Sequence, residues 1–205
     1  GALFFTFQIY CDFAGYSDIA LGVAKLFGID LLKNFSFPYF SRNIAEFWRR
    51  WHISLSTWFR DYVYIPLGGS KVSKLKSVRN VIVIFVLSAF WHGANWTFIV
   101  WGLLNALYIL PSLLFNTTRN NLDTVAQGKL LPSVNEALSM LLPFSLTVFA
   151  WIFFRADNLN HAISYINLMF SSTLFSVPNI QGRLPLFVLL FIFICIEWLG
   201  REYDY

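Results

Sequence analysis

The sequence predicts an all-α fold in a polytopic membrane protein. Only 13% of the 205 residues are charged and 57% are hydrophobic, whereas soluble domains carry roughly 25% charged residues. Apolar runs with the length of a membrane helix lie at residues 81–115, 137–154 and 184–199. Residues 3–24 form a further apolar segment that small and acidic residues interrupt. We therefore expect three membrane-spanning helices, with residues 3–24 as a candidate for one more.

The ends of the chain carry no recognisable start or stop. Gly1 opens directly on an apolar segment, without an initiator methionine or the basic n-region of a signal peptide, and Tyr205 follows a charged tail. We therefore expect residues 1–205 to be part of one domain in a longer chain.

The net charge of +4 is concentrated in one segment, residues 71–79, with its basic side chains at Lys71, Lys74, Lys76 and Arg79. No aromatic residue separates them, whereas sites for single-stranded nucleic acid combine basic grooves with stacking aromatic side chains. We expect no nucleic-acid partner, and we interpret the segment as a cytoplasmic loop that obeys the positive-inside rule.

The first apolar segment has a face of small and acidic residues. Cys11, Gly15, Asp18 and Gly22 recur at helical spacing, and Asp12 lies about a turn and a half before Asp18. Small residues let a neighbouring helix approach closely. Acids at membrane depth need either a partner or a watery cavity. Asp12 and Asp18 are thus candidates for a substrate tunnel or for ion pairs that hold helices together.

An amphipathic helix is predicted from Asn43 to the breaker at Pro66. Asn43 with Glu46 three residues later has the spacing of a capping box. Apolar residues follow at helical spacing: Ile44, Phe47, Trp48, Trp51, Leu55, Trp58, Phe59 and Tyr62. The charged residues fall on the other side: Glu46, Arg49, Arg50, Arg60 and Asp61. We expect this helix at the membrane interface or against other helices, with its tryptophans at headgroup depth.

His52 lies at the border of that apolar stripe, roughly 80° from its centre at 100° per residue. Ser56 follows one turn later on the same side. From this position the imidazole can face a crevice. An interfacial histidine that bonds to a backbone carbonyl would fit the same pattern.

The longest apolar run is too long for one membrane helix. Residues 81–115 contain no Asp, Glu, Lys or Arg and would span about 52 Å at 1.5 Å per residue, against a hydrocarbon core of about 30 Å. We predict a break at residues 92–95, where Gly93 provides backbone freedom. Non-helical backbone at this depth is tolerated only beside protein or a cavity, so His92 should face a cavity. Pro111 is expected to bend the second half.

Two further segments complete the chain. Residues 116–136 read as a polar loop with turn residues. Arg155 and Asp157 mark the edge of the next span, and residues 160–170 form a predicted surface helix that carries His161, interpreted as structural.

The candidate chemistry rests on two histidines. No His, Cys or acidic residues have metal-site spacing, Cys11 and Cys195 included, and no P-loop, GxSxG or GxGxxG motif occurs. An imidazole in apolar surroundings stays neutral and can act as a general base. Buried histidines also serve proton relays and helix packing, so the residues alone leave these alternatives open.

Three segments resemble signatures of the membrane-bound O-acyltransferases: "YCDFAGYSDIALG", "SRNIAEFWRRWHISLSTWFRDYVYIPLGG" and "LSAFWHGANWTFIVWGLLNAL". They are similar to the bacterial branch that O-acetylates alginate, as is "WIFFRADN". The resemblance implies tilted transmembrane helices around a tunnel, with interfacial helices, further spans upstream and a missing extreme C-terminus. Substrates would enter this tunnel from opposite sides.

The resemblance also implies roles for residues. His92, in "AFWHG", matches the invariant histidine held to be catalytic, and His52 matches a second polar position. Apart from the resemblance, we expect Asn95, Trp96 or a backbone amide of the tunnel to help stabilise an oxyanion. The full set of expected substrate-binding or tunnel residues is Asp12, Asp18, Ser56, Arg60, Asp61, Asn95 and Trp96.

The implied reaction is transfer of an acyl group, most simply acetyl, to a hydroxyl of an exported polysaccharide. The donor would be acetyl-CoA or an acyl-carrier thioester, used as a substrate, with no cofactor. An extracytoplasmic partner transferase and a location in the bacterial inner membrane are expected.

Other functions fit parts of the pattern. The same family transfers D-alanine to teichoic acid. A transporter or proton-relay module would use Asp12, Asp18, His52 and His92 as a pathway, although no inverted repeat is visible. An inert scaffold has no physical need for the two histidines.

Overall fold

The computed structural model describes residues 1–171 and 183–203, and within them every regular element is helical. The helices are α1 Ala2–Leu26, α2 Ile44–Arg50, α3 Ile53–Phe59, α4 Lys74–His92, α5 Trp96–Leu114, α6 Val134–Arg155, α7 Leu159–Met169 and α8 Arg183–Gly200. A 3-10 turn, Pro38–Phe40, precedes α2, and a π-helical turn, Arg60–Tyr64, follows α3. The predicted all-α fold is confirmed.

Three helices are long and apolar enough to cross a membrane: α4, α5 and α6. They coincide with the spans predicted at 81–115 and 137–154, and the first of these runs divides as expected. The apolar part of α8, Leu184–Gly200, is shorter. Many large apolar side chains, such as Leu75 and Leu142, are exposed, as a lipid-facing surface requires.

Small residues bring α4 and α5 together as an antiparallel pair. A Cβ atom at Gly102 would lie 2.5 Å from the Phe85 carbonyl oxygen and 2.9 Å from Cβ of Ala89. Ala89 and Ala106 are fully enclosed at this contact. Close backbone approach through small residues is the usual solution between membrane helices.

An aromatic core joins α1, α2, α5 and α6. Trp51 packs on Trp151 at 5.2 Å between ring centroids, and Trp151 stacks on Trp101 at 5.8 Å. Tyr10 and Phe47 complete the buried cluster. Trp51 is therefore inserted among the helices, whereas Trp58 is exposed. The position of the tryptophans at headgroup depth stays a prediction.

The predicted continuous helix from Asn43 to Pro66 is wrong at its centre. The Asn43 side chain does cap α2, accepting from the Glu46 amide at 2.7 Å. However, α2 ends at Arg50, and His52 takes a left-handed conformation with φ 43° and ψ 56° before α3 begins. The preceding loop takes over the backbone bonds: the Ser36 amide donates to the Arg50 carbonyl, and the Ile53 amide donates to Asn34.

The charged side of α2 is buried against neighbouring segments of the chain. Glu46 is fully buried, because Arg42 and Arg50 pair with its carboxylate at 3.2 and 2.9 Å. Arg49 donates to the carbonyls of Thr118, Asn120 and Asn121. The polar loop between α5 and α6 is therefore held against α2 by arginines.

The short helix α7 confirms the surface helix predicted near residues 160–170. Asn158 caps it, accepting from the His161 amide at 2.9 Å. His161 Nδ1 lies 3.2 Å from Asp157, and both side chains are largely exposed.

Candidate active site

The break between α4 and α5 positions the first candidate histidine. Helix α4 ends at His92 and α5 begins at Trp96, so the predicted break at residues 92–95 is confirmed. Gly93 is extended, with φ 164°, and a Cβ atom there would lie 2.5 Å from the Phe98 ring. Glycine is needed here for space rather than for a left-handed backbone.

Asn95 secures the start of α5. Its side-chain oxygen accepts from the Thr97 amide at 3.1 Å, and its amide nitrogen donates to the Asp157 carbonyl at 2.8 Å. The turn after His92 is thereby attached to the end of α6.

His92 lies within an aromatic enclosure and has a defined tautomer. Its ring centroid is 4.9 Å from Trp91, 5.0 Å from Trp101 and 5.3 Å from Phe154. Nδ1 lies 2.7 Å from the Ser88 carbonyl oxygen. A carbonyl oxygen only accepts, so Nδ1 carries the hydrogen. In the neutral ring, Nε2 then holds the lone pair that can take a proton.

His52 approaches the same region from the α2–α3 break. Its ring lies 4.6 Å from Phe13 and 6.0 Å from Trp91, so Trp91 contacts both histidines. Its Nδ1 is buried without a hydrogen-bond partner. Burial, reinforced by the nearby His92, lowers the pKa of His52 to about 4, so this imidazole is neutral near pH 7.

Both histidines line one cavity of about 630 Å³. The cavity follows α4 along successive turns, through Val81, Phe85 and Ser88 to His92. The lining also includes polar and basic residues, with Arg49, Arg60 and Arg119 among them. A cavity of roughly 300–1,000 Å³ is typical of small-molecule sites, so this one can hold an extended substrate.

The expected tunnel residues divide into two groups. Ser56 and Arg60 line the cavity with the histidines. The lining does not include Asp12, Asp18, Asp61, Asn95 or Trp96.

Most of the expected residues outside the lining are exposed to solvent or lipid. Asp12 and Asp18 are exposed on α1. Asp61 pairs with Arg60 at 2.7 Å, where both side chains are largely open to solvent. Trp96 is 71% exposed.

Several residues that line the cavity were not predicted from the sequence. Trp48 and Trp101 were seen only as part of apolar patterns, and Ser88 had no distinguishing spacing. Thr118 and Arg119 belong to a loop that carries no motif, and they reach the cavity only because Arg49 holds that loop in place. The described ranges, 1–171 and 183–203, bring no three His, Cys, Asp or Glu side chains together as a metal site.

Comparison with known proteins supports a specific assignment. The model of the membrane-bound O-acyltransferase family matches residues 2–153. A probable alginate O-acetylase of Azotobacter vinelandii is 42% identical over 171 residues, which cover 83% of this chain and 32% of the relative. A peptidoglycan O-acetyltransferase of Helicobacter pylori is 42% identical over 168 residues, covering 82% of this chain and 30% of the relative.

A more distant relative, a teichoic acid D-alanyltransferase of Streptococcus thermophilus, is 36% identical over 160 residues, covering 72% of this chain and 39% of that protein. The chain spans about a third of the length of these two O-acetyltransferase relatives. The family model covers both candidate histidines and most of the chain. The protein therefore belongs to the membrane-bound O-acyltransferase family.

Proposed function

We propose that this protein is a membrane O-acyltransferase that moves an acyl group, most simply acetyl, from a cytoplasmic thioester to a hydroxyl of an exported or cell-surface polysaccharide. The observation that carries the proposal is the shared cavity, in which His92 keeps Nε2 free while Nδ1 is held by Ser88. The names of the relatives, which O-acetylate alginate and peptidoglycan, support a polysaccharide acceptor.

His92 acts as the general base in this mechanism. Nε2 removes the proton from the acceptor hydroxyl as its oxygen attacks the thioester carbonyl carbon. The tetrahedral intermediate then collapses, the C–S bond breaks, and the leaving thiolate receives the proton from the imidazolium. The products are an ester and a free thiol. General-base catalysis of this kind contributes roughly 10²–10⁴-fold to a rate.

His52 is a neutral partner across the same cavity. Because burial keeps its pKa near 4, it does not add a positive charge beside the imidazolium that forms on His92. We assign it to orienting the acceptor or the thioester through Nε2.

The direction of entry follows from charge. The basic segment at residues 71–79, predicted as a loop, lies mostly in the first turns of α4. With Lys71 and Arg79 it belongs on the cytoplasmic side of a bacterial inner membrane by the positive-inside rule. Arg60 and Arg119 are among the residues that line the cavity, and their charges suit an anionic thioester donor such as acetyl-CoA or an acylated carrier. The acceptor, or a partner transferase that receives the acyl group, then approaches from the extracytoplasmic side. Transmembrane helices outside residues 1–205 complete the ring around the tunnel.

The direct test is acyl transfer by the full-length protein in membranes with labelled acetyl-CoA. We expect His92→Ala to reduce label on polysaccharide or partner by at least about 100-fold. The matched control is His161→Ala, which removes an exposed histidine on α7 and should leave transfer unchanged. Equal label from wild type and His92→Ala, at equal protein levels, would contradict the mechanism.

D-alanyl transfer to teichoic acid is the second candidate, supported by the 36% identical relative. The same membranes given a D-alanyl carrier thioester in place of acetyl-CoA would distinguish the two. A proton-relay function has less support, because Asp12 and Asp18 lie outside the lining of the cavity that holds both histidines.

A further inference from the structure

A second cavity, of about 180 Å³, lies between α1, the Pro38–Phe40 turn, α6 and α8, apart from the histidine cavity. Seven aromatic rings and one carboxylate dominate its lining: Phe7, Tyr10, Phe37, Tyr39, Phe40, Phe144, Phe193 and Glu197. The rings of Phe7, Tyr10 and Tyr39 lie 5.3–5.6 Å apart in contacting pairs.

Glu197 is the unusual member of this lining. It is the only charged residue between Leu184 and Gly200 of the apolar helix α8. The Tyr10 hydroxyl donates to its Oε2 at 2.6 Å. Among the residues that the structure describes, no Lys, Arg or His forms an ion pair with it. A carboxylate in an apolar segment is costly without a cationic partner.

The aromatic rings that line the cavity also suit a cation. An ammonium group within about 6 Å of an aromatic centroid is attracted to the ring face, and aromatic enclosures are a common way to recognise organic ammonium ions. Because the Glu197 carboxyl lies in the same lining, the cavity offers both a carboxyl group and ring faces to a cation of this kind.

The depth of the cavity indicates where that cation comes from. Glu197 lies four residues before Arg201, about 6 Å along the helix. Arg201 donates to the Val125 and Ala126 carbonyls of the polar loop, and Trp198 donates to Leu130. A tryptophan bonded to a polar loop is typical of the membrane interface. The carboxylate is therefore within one helical turn of headgroup depth.

We propose that this cavity binds the ammonium headgroup of a membrane lipid, with Glu197 as the counter-ion and the surrounding rings as walls. The primary ammonium of phosphatidylethanolamine is the occupant we assign. The lipid would hold α8 against α1 and α6. This site is independent of the acyl-transfer mechanism.

The test uses the full-length protein purified in mild detergent and transferred to nanodiscs. Native mass spectrometry should find phosphatidylethanolamine retained by the wild type, and Glu197→Gln should reduce the retained amount at least about five-fold, the loss expected from one charge-assisted contact. Glu202→Gln, which changes a carboxylate outside the cavity, should retain the wild-type amount. Wild-type thermal stability should be higher in phosphatidylethanolamine than in phosphatidylglycerol nanodiscs, and Glu197→Gln should lose this difference.

Other outcomes would overturn the proposal. Equal retention of phosphatidylethanolamine and phosphatidylglycerol by the wild type would exclude a site specific for the ammonium headgroup. This measurement needs no variant. Stabilisation by millimolar ethanolamine or tetramethylammonium, without lipid dependence, would assign the cavity to a soluble ammonium ion. Destabilisation of Glu197→Gln with no lipid dependence in the wild type would indicate a cation from another part of the longer protein.

Discussion

Substitution of Gly93 by alanine should disable the active site through a steric effect on the aromatic wall of His92. The added Cβ would lie 2.5 Å from Cε2 and 2.9 Å from Cδ2 of the Phe98 ring, where ordinary contacts begin at 3.4 Å. The ring must therefore retreat by about 1 Å, and overpacking of this size typically costs about 1–3 kcal/mol. The backbone adds no strain of its own, because Gly93 is extended.

The displacement of Phe98 would be passed on to the His92 ring through one intervening ring. Phe98 packs on Phe154 at 5.1 Å, and Phe154 packs on His92 at 5.3 Å. A misplacement of about 1 Å in an active site can reduce the rate by about 10²-fold. We expect Gly93→Ala to lower label transfer per protein molecule by roughly 10- to 100-fold.

The assay is label transfer from acetyl-CoA by the full-length protein, normalised to its amount in the membrane. Phe98→Leu removes the ring edge that the new methyl group would meet, so the double variant Gly93→Ala/Phe98→Leu should recover much of the lost rate relative to Phe98→Leu alone. Wild-type transfer by Gly93→Ala would refute the reasoning. A double variant that is no better than Gly93→Ala would show that the loss does not pass through Phe98.

Two further predictions concern stability and pH. Glu46→Ala should destabilise the fold by about 3–5 kcal/mol, because it leaves Arg42 and Arg50 without their buried partner. Asp123→Asn, at an exposed partner of Arg42, should cost under about 1 kcal/mol. Thermal aggregation in detergent measures both variants, and equal aggregation midpoints for Glu46→Ala and Asp123→Asn would contradict the prediction for Glu46. Burial lowers the pKa of His52 to about 4, so the folded ring stays neutral while an unfolded histidine gains a proton near pH 6.5. The stability due to His52 is therefore fully present above pH 6.5 and declines as the pH falls towards 4. His52→Gln should flatten that decline, and an unchanged stability profile would argue against a neutral buried ring.

The helices and the main break were predictable from sequence because their causes are local. Apolar runs matched to the bilayer predict α4, α5 and α6, and the excess length of residues 81–115 predicts a break near His92. Asn43 is recognisable as a cap because its partner amide lies three residues away. Recognition of the family also needed only short, ordered segments of sequence.

Other features depend on segments distant in sequence, and periodicity could not predict them. The helix around residue 52 breaks because Ser36 and Asn34 take the backbone bonds that a continuous helix would make. Glu46 is fully buried because Arg42 and Arg50 pair with it.

The sequence by itself determined the membrane class, the helical spans and the two histidines as candidates for chemistry. Only the tertiary structure decided that His52 and His92 share one cavity and that Asp18 lies outside its lining. It also decided that Nδ1 of His92 is bonded to the Ser88 carbonyl, which leaves Nε2 as the nitrogen that can take a proton. The physical reason is that a helical pattern specifies which side of one element is apolar, while a cavity is formed by the packing of several elements against one another. That packing is set by aromatic contacts and arginine–carbonyl bonds between residues far apart in the chain.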